Sequence, residues 1–593
     1  MKRIITYLLP LAVLVASCNQ NHLLFSNGNS PYTIVVAPGA SESEQYAAQE
    51  LQQWIQKVGN VKLPIDSTGE GRRGHRLIVG YNGLTSSLVP GSKPQGIKDE
   101  SFRYCTRDGD ILLWGGSMRG TLNAVYSFLE RELGCRWYSA DVSVAPAKKS
   151  WGFNALDYSD SPALRMRNVF YYEPNTDSVF AARLRSNQTR LPSIHEGQTI
   201  EGSSERYWNC HTMGQFVPEE KYFKDHPEYF SLIDGKRTPR QLCLSNPDVL
   251  KICIEELRKA MRGNPDYLIY SLSQNDGGEE KNACECPECQ RIDNQYGGKN
   301  SGIVLWFVNQ AADAVRDEFP DKYVGTFAYR YTRHAPVGIK PRDNVVIRLC
   351  SIECCIIHGY DCPENQDFAK DLRDWSVVAP HLYIWDYVTG FSNYHIPLPN
   401  LRALQSHVQA FRDNNAIGVM EQGGYENKYT EMSELRTYLL SRLLWNPEVN
   451  VDSVLTDFTD GYYGAAAPAV REYINFEHNV LALDSDVQDC YPWYGDDMFF
   501  DEFATEARKI IAKGREAVAG DAELQRRLDL VEFPLCVLQM ERTPQQALEQ
   551  GAYDLFLKVT KREGMTFLNE WDCWKNRNTV QRFIDKFEKL KTQ

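Results

Sequence analysis

Short apolar runs and longer amphipathic segments alternate through the middle of the chain. The apolar runs have the composition of strands buried on both faces, and they cover residues 165–172, 267–273, 323–331, 344–350, 382–387 and 416–421. Segments with helical periodicity alternate with them, at residues 247–262, 303–319, 367–378, 401–414 and 432–445. Repeated strand–helix pairs indicate an α/β protein with a parallel sheet, and we predict a (β/α)8 TIM-like barrel over residues 160–445. An open doubly wound sheet is the alternative, although no glycine-rich phosphate loop follows these strands.

The chain before this segment predicts a compact α+β accessory domain over residues 31–150. Its first helix opens at Ser41-x-x-Glu44, the sequence pattern of a capping box. Asp108-Gly109 between two apolar runs predicts a β-hairpin. After the barrel segment the pattern is helical, so residues 446–593 are predicted to form a C-terminal helical domain. We expect no chemistry there, and we interpret Trp493, Trp571 and Trp574 as packing residues, with contact to a ligand as the alternative.

The first residues have the pattern of a targeting signal. Lys2-Arg3 is followed by an apolar run that is short for a bilayer span, so residues 1–18 are excluded from the fold. Val15-Ala16-Ser17-Cys18 resembles a bacterial lipobox, which implies cleavage before Cys18 and lipidation of its thiol. An ordinary secretory signal with a chance cysteine is the alternative. We therefore predict a cell-envelope lipoprotein, attached to the membrane only by its lipid, with residues 19–30 as a polar tether.

Composition and charge narrow the range of partners. The chain has 593 residues and a formal net charge of −13, which argues against nucleic acid and anionic membrane surfaces. The 12 tryptophans and 32 tyrosines offer flat faces for sugar rings, although such residues also fill large cores.

The cysteines form two groups. Cys284, Cys286 and Cys289 have the spacing of a thiolate metal site but are one ligand short of a closed structural zinc. The second group consists of Cys350, Cys354, Cys355 and Cys362. Here we favour a disulfide over zinc, because the predicted compartment is oxidising. No cofactor or metal is predicted for the function.

Acidic residues stand at the ends of several predicted strands. Asp276, Glu353, Asp386 and Glu421 are predicted to share one pocket, because strand C-termini converge on one face of a barrel. Crowding would raise some of their pKa values and leave other carboxylates ionised, as glycosidic acid–base catalysis requires. The alternatives are loop capping for Asp276, a solvated position for Glu353, and ion pairs for Asp386 and Glu421.

Other candidates for substrate binding flank these acids. An aromatic ring of Trp385, Tyr387, Tyr329 and Tyr331 is predicted around the pocket, and Asn275 precedes Asp276 in the same loop. His211 is a candidate ligand for sugar hydroxyls, with a core histidine as the alternative. Arg167 is a candidate for binding a substrate carboxylate, with pairing inside the protein as the alternative.

Two stretches resemble known families. GGSMRGTLNAVYSFLERELGCRWY, residues 115–138, resembles the N-terminal accessory domain of family 67 α-glucuronidases and the similar domain before the family 20 hexosaminidase barrel. HPEYFSLIDGKRTPRQLCLSNPDVL, residues 226–250, and the QNDGG and CxCxxC motifs after it resemble the family with domain of unknown function 4838. In the glycosidase families this accessory domain precedes a (β/α)8 catalytic barrel.

The α-glucuronidase resemblance implies roles for three acids. Those enzymes invert, with a Glu general acid and an Asp and a Glu that activate water. By strand order Asp276 falls at the acid position, Glu353 near the first base position and Asp386 at the second, with Asp replacing Glu at two of them. We therefore predict a glycoside hydrolase acting on oligosaccharides or glycan side chains. A non-catalytic glycan-binding lipoprotein is the alternative, and a zinc enzyme built on the cysteines is a third.

Overall fold

The structure is a computed structural model, and it describes residues 22–71, 73–93, 100–116, 119–187, 206–277, 282–483 and 487–592. The predicted signal peptide 1–18, with Cys18, lies outside the described residues.

The N-terminal domain is an α+β unit. Its strands are β1 His22–Ser26, β2 Thr33–Val36, β3 Ile65–Asp66, β4 Arg76–Val79, β5 Phe102–Arg107, β6 Asp110–Gly115, β7 Arg136–Trp137, β8 Ser143–Val144, β9 Ser150–Phe153 and β10 Asp157–Asp160. Its helices are α1 Glu42–Gly59, α2 Gly83–Leu88 and α3 Gly120–Phe128. Six strands form one mixed sheet in the order β10-β5-β6-β4-β2-β3. Apolar residues of α1 and α3 pack on one face of this sheet, and those of α2 pack on the other.

Two local predictions in this domain are confirmed. Ser41 and Glu44 form the reciprocal hydrogen bonds of a capping box at the start of α1. Asp108 and Gly109 both have positive φ, 52° and 85°, and connect the antiparallel strands β5 and β6. A turn of this handedness matches the twist of the two strands, which is why Asp-Gly predicts it.

The domain is larger than predicted at both ends. Residues 22–26, expected to belong to a polar tether, form β1, which pairs with β9 and buries Leu24 and Phe25 completely. Residues 157–160, expected to lie in a linker, form β10 at the edge of the main sheet. These short segments become strands because their backbones pair with distant strands. Their mixed composition does not predict a strand.

In the described residues of the central domain there are nine strands and ten α-helices. The strands are β11 Met166–Phe170, β12 Tyr207–Trp208, β13 Phe230–Ile233, β14 Lys236–Leu242, β15 Ile269–Ser271, β16 Tyr323–Ala328, β17 Val345–Cys350, β18 Leu382–Tyr387 and β19 Ala416–Gln422. The helices are α4 Tyr172–Thr176, α5 Ser178–Arg183, α6 Met213–Phe216, α7 Glu219–Tyr222, α8 Pro247–Gly263, α9 Pro287–Gln295, α10 Ser301–Val315, α11 Gln366–Val378, α12 Ala403–Asp413 and α13 Ser433–Trp445. The β13–β14 pair is a separate antiparallel hairpin.

Seven of these strands form one parallel sheet in the order β11-β19-β18-β17-β16-β15-β12. The first two of these strands in the chain, β11 and β12, are the two edges of the sheet, and over the described residues they do not pair with each other. The parallel α/β architecture is confirmed, as a curled half-barrel of seven strands. The predicted closed eight-stranded barrel is not found among the described residues.

The C-terminal domain is helical, as its pattern predicts. Its helices are α14 Val451–Tyr463, α15 Ala467–Leu481, α16 Phe503–Ala517, α17 Ala522–Arg542, α18 Pro544–Glu549, α19 Ala552–Glu563, α20 Glu570–Trp574 and α21 Thr579–Lys591. The amide of Glu570, at the start of α20, donates to Phe391 O at 3.1 Å, which fixes this helix against the loop after β18. Over the described parts of the chain, no helix combines the length and apolar character needed to cross a membrane.

Candidate active site at the carboxyl ends of the parallel strands

A cavity of about 130 Å³ lies where the parallel strands end, and we call it the mouth. Its floor and walls come from residues in or just after β12, β16, β17, β18 and β19, and from the loop after β15. The C-terminal domain closes one side through Tyr491, Glu570 and Trp574. The lining residues are Cys210, His211, Asp276, Phe327, Tyr329, Cys350, Ile352, Trp385, Tyr387, Phe391, Gln422, Tyr425, Tyr491, Glu570 and Trp574.

Asp276 is the predicted acid that the structure places at the mouth. It lies in the loop after β15, and 66% of its side chain is exposed. The Tyr329 hydroxyl donates to Asp276 Oδ1 at 3.1 Å, and His211 Nε2 lies 3.9 Å from the same oxygen. The contact of His211 Nδ1 with Gln274 O, at 2.6 Å, requires a proton on Nδ1. Asp276, His211 and Tyr329 therefore form one polar group that faces the cavity.

Glu570 supplies a second carboxylate, which the sequence reasoning missed. It is buried at the start of α20, and Gln422 Nε2 donates to its Oε1 at 3.5 Å. Trp385 Nε1 donates to Gln422 Oε1 at 2.6 Å, which orients the Gln422 amide toward Glu570. The sequence signal was Trp571 and Trp574 beside Glu570, because the flat faces of tryptophan rings suit sugar rings.

Asp386 and Glu421 lie on the opposite face of the sheet from the mouth. They are neighbours in register on β18 and β19, and both are buried. Strand residues alternate between faces, so Trp385 and Tyr387 point into the mouth while Asp386 between them points outward. The prediction that these two acids share the pocket with the aromatic ring is therefore wrong.

The outward face forms a closed polar cluster. The Ser351 hydroxyl donates to Asp386, the Tyr360 hydroxyl lies 3.4 Å from Asp386 Oδ1, and His407 Nδ1 lies 3.5 Å from Asp386 Oδ2. Burial, and next the Asp386 carboxylate, raise the pKa of Glu421 well above its ordinary value of 4.5. Burial beside a second carboxyl group therefore favours the neutral form of Glu421.

Glu353 also lies outside the mouth. Arg333 Nη1 donates to Glu353 Oε2 at 3.1 Å, and about a third of the Glu353 side chain is exposed. Arg333 also donates from Nε to Asp371 Oδ2, at 2.7 Å. The pairing removes Glu353 from the predicted catalytic group.

The other predicted binding residues divide between the mouth and the scaffold. His211, Tyr329, Trp385 and Tyr387 line the mouth, as predicted. Tyr331 faces a different cavity, of about 320 Å³, beside Cys284 and Cys289. The side chain of Asn275 is hydrogen-bonded to the backbone, since its Oδ1 accepts from Gly214 N and its Nδ2 donates to Arg240 O. Asn275 does not line the mouth.

Arg167 has a structural role between the first two domains. It is buried and forms an ion pair with Glu100, and it donates to the backbone oxygens of Leu164 at 2.7 Å and Arg185 at 3.0 Å. Its donors are thus used within the protein, and it does not reach the mouth.

The cysteines of the described residues are all free, so the expected disulfide in the second cysteine group is wrong. Cys350 faces the mouth while Cys354 packs in the core outside the sheet. Cys355 and Cys362 lie on either side of His358, with Sγ atoms 3.5 and 4.0 Å from its Nδ1. These three residues, and separately Cys243 with Cys284, Cys286 and Cys289, bring their ligand atoms within metal-binding distance of one another.

The sequence profile of a family described as a domain of unknown function, DUF4838, matches residues 137–475. The chain belongs to this family. The match covers all seven strands of the parallel sheet and stops within the first part of the C-terminal domain. A comparison with curated protein sequences finds no significant match.

Solved structures with a similar fold are glycoside hydrolases. A family GH115 4-O-methyl-α-glucuronidase with specificity for decorated arabinogalactans aligns with a TM-score of 0.58 at 13% identity, over 90% of this chain and 76% of its own. A GH138 enzyme targeting pectin rhamnogalacturonan II aligns at 0.44 and 11%, over 91% and 75%. A Flavobacterium johnsoniae chitobiase aligns at 0.45 and 13%, over 89% and 93%. At these identities the likeness concerns the fold alone.

Proposed function

We propose that the protein is a glycoside hydrolase whose catalytic carboxylates are Asp276 and Glu570. The observation that carries the proposal is their presence at one aromatic cavity, at the carboxyl ends of the parallel strands. Active sites of strand–helix barrels form at this end. The GH115-like fold is consistent with this placement.

The cavity offers the two groups that glycoside hydrolysis needs. One carboxyl protonates the leaving oxygen, and the other activates water or attacks the sugar directly. Tyr329 and His211 hold Asp276 in place, while Gln422 and the helix α20 hold Glu570. Trp385, Tyr387 and Trp574 offer ring faces on which a sugar can stack.

The small volume of the mouth favours action on a terminal sugar or a short side chain rather than within a long polymer. A uronic acid is the first candidate. Arg330, which donates from Nε to the Tyr329 hydroxyl at 3.0 Å, lies beside the mouth, and its guanidinium matches the geometry of a substrate carboxylate. Release of glucuronic acid or its 4-O-methyl ether from plant side chains is the expected reaction.

The test is a screen of the purified protein for sugars released from plant, host and bacterial glycans. With an active substrate, Asp276→Asn and Glu570→Gln should each lower kcat by about 100-fold or more, because each removes an acid–base group. Glu353→Gln is the matched control, since Glu353 does not line the mouth and pairs with Arg333, so this variant should retain activity. Full activity in both mouth variants would reject the assignment.

A glycan-binding protein without turnover is the second candidate. It is favoured by the position of Glu353, Asp386 and Glu421, which are predicted as catalytic but do not reach the mouth. Binding of an oligosaccharide with no product, weakened by Trp385→Ala, would establish it and exclude the hydrolase. Product release would exclude it instead.

We also propose that Cys18 is lipidated and anchors the protein to the cell envelope, as the Val15–Cys18 pattern implies. Incorporation of a labelled fatty acid that is abolished by Cys18→Ser would support the anchor. Release of unlabelled protein into the soluble fraction would contradict it.

A further inference from the structure

Four cysteines from two separate segments meet beside the loop that carries Asp276. Cys243 follows directly after β14, and the other three lie 41 to 46 residues later, at the end of the Asp276 loop and in the first turn of α9. Their sulfur atoms all lie within 4.8 Å of one another. The sequence analysis counted three ligands in this region, Cys284, Cys286 and Cys289, and the fold supplies the fourth.

The spacing of the sulfurs matches ligands of one metal ion. Cys243 Sγ lies 3.6 Å from Cys286 Sγ and 3.7 Å from Cys289 Sγ. Four thiolates at about 2.3 Å from a tetrahedral zinc ion have their sulfurs about 3.8 Å apart. A disulfide would need about 2.05 Å. The observed distances therefore fit a shared ion and are too long for covalent pairing.

The surroundings supply hydrogen-bond donors aimed at sulfur. Leu232 N donates to Cys284 Sγ at 3.3 Å, and Cys289 N donates to Cys286 Sγ at 3.4 Å. Arg237 Nη1 lies 4.0 Å from Cys284 Sγ, where its charge offsets part of the negative charge of the thiolates. Hydrogen bonds and positive charges next to metal ligands orient the ligands and stabilise their deprotonated form.

We infer that Cys243, Cys284, Cys286 and Cys289 bind one zinc ion in a closed structural site. Cys243, Cys286 and Cys289 are buried, as in a structural site, and Cys284 is partly buried. Four thiolates fill the tetrahedron and leave no position for a reactive water, so the ion would stabilise the fold and take no part in chemistry. The inference is independent of the glycosidase proposal.

The site would fasten the β13–β14 hairpin to the loop that carries Asp276. Asn275 N donates to Gln241 Oε1, and Gln241 Nε2 donates to Asn275 O, both at 2.9 Å. Gln241 stands two residues before the ligand Cys243, so β14 holds the loop at one end through hydrogen bonds and at the other through the metal. Loss of zinc would therefore release Asp276 from its position at the mouth.

The test begins with the metal content of the full chain, purified with reductant and without chelator. We expect one zinc per chain, and tetrahedral thiolate charge-transfer and d–d absorption bands when Co²⁺ replaces it. A strong chelator should lower Tm by several degrees, because the ion binds only the folded state. The double variant Cys243→Ser/Cys286→Ser should lose most of the zinc, about tenfold or more.

Cys253→Ser is the matched control, since Cys253 is also buried and free but lies in α8 outside the cluster. It should keep the zinc of the native chain. If the double variant fails to fold, alkylation of the native protein provides the test instead. Its four cluster thiols should resist alkylation until the metal is removed. Substoichiometric zinc that cobalt cannot replace, or disulfides among the four cysteines, would overturn the inference.

Discussion

The two faces of strands β18 and β19 carry different chemistry within a few residues of each other. The inward face presents Trp385, Tyr387 and Gln422 to the mouth, where they meet Glu570 from the C-terminal domain. The outward face presents Asp386 and Glu421 to Ser351, Tyr360 and His407, in a cluster closed to solvent. The acids nearest in sequence to the aromatic ring are thus the ones that cannot reach a ligand in the mouth.

The difference shows that position at a strand end is not enough to place a side chain in a barrel site. Parity along the strand decides which face it occupies. Trp385 and Tyr387 were both predicted to ring the pocket, and that prediction already excluded Asp386, which stands between them. Acids in loops, such as Asp276, do not follow this alternation because the backbone there is no longer an extended strand.

The largest effect that separates the two faces is expected from Asp386→Ala. The substitution leaves the Ser351 and Tyr360 hydroxyls without their buried acceptor, at a cost of about 3 kcal/mol in the free energy of unfolding. Denaturant unfolding measures it, with Asp386→Asn, which retains an acceptor oxygen, as the milder control. Equal stability of Asp386→Ala and the native protein would show that the outward cluster contributes nothing to the fold.

On the inward face, Trp574→Ala should weaken glycan binding with little change in stability. The ring lines the mouth but is 59% exposed, so its removal costs little folding energy. Loss of one stacking surface should raise KM or Kd by about tenfold, about 1.4 kcal/mol. Trp493→Ala is the matched control, since Trp493 is 61% exposed and does not line the mouth. Equal affinities of the two variants would remove Trp574 from the site.

The outward face should also show a characteristic pH dependence. The pKa of Glu421 is raised in the folded state, so its contribution to stability is present below the unfolded pKa, near 4.5, and is lost as pH rises through the folded pKa. Glu421→Gln lacks the ionisable group, so its Tm relative to the native protein should increase as pH rises from about 5 to about 8. Thermal unfolding of both proteins across this range measures it. A difference in Tm that stays constant with pH would show that Glu421 does not titrate as inferred.

The smallest effect is expected from Glu353→Gln. Glu353 follows β17 and lies on neither face of strands β18 and β19. Its partner Arg333 keeps the buried Asp371 as a second acceptor, and Glu353 is partly exposed, so the loss in stability should stay below about 1 kcal/mol. Asp371→Asn should cost more, because Asp371 is buried and also contacts His334 Nδ1 at 2.8 Å. The order of the two Tm shifts is the measurement, and the reverse order would contradict this account of Arg333.

Much of the architecture was accessible from local patterns. The six predicted central strands are present in the parallel sheet, and the capping box at Ser41 and the hairpin at Asp108-Gly109 are as predicted. These features depend on residues close together in the chain. Strand β1 was missed because its partner β9 lies over a hundred residues away, and neither segment has a strong strand pattern of its own.

The sequence by itself determined the alternation of strands and helices, the helical C-terminal region and one acid of the candidate site, Asp276. These follow from periodicity and from turn chemistry, which act over a few residues. Only the tertiary structure decided that Glu570 faces Asp276's cavity, that Asp386 and Glu421 turn away from it, and that Cys243 completes a set of four thiols. Each of these depends on which distant segments pack together, and packing is decided by the burial of whole faces rather than by local sequence.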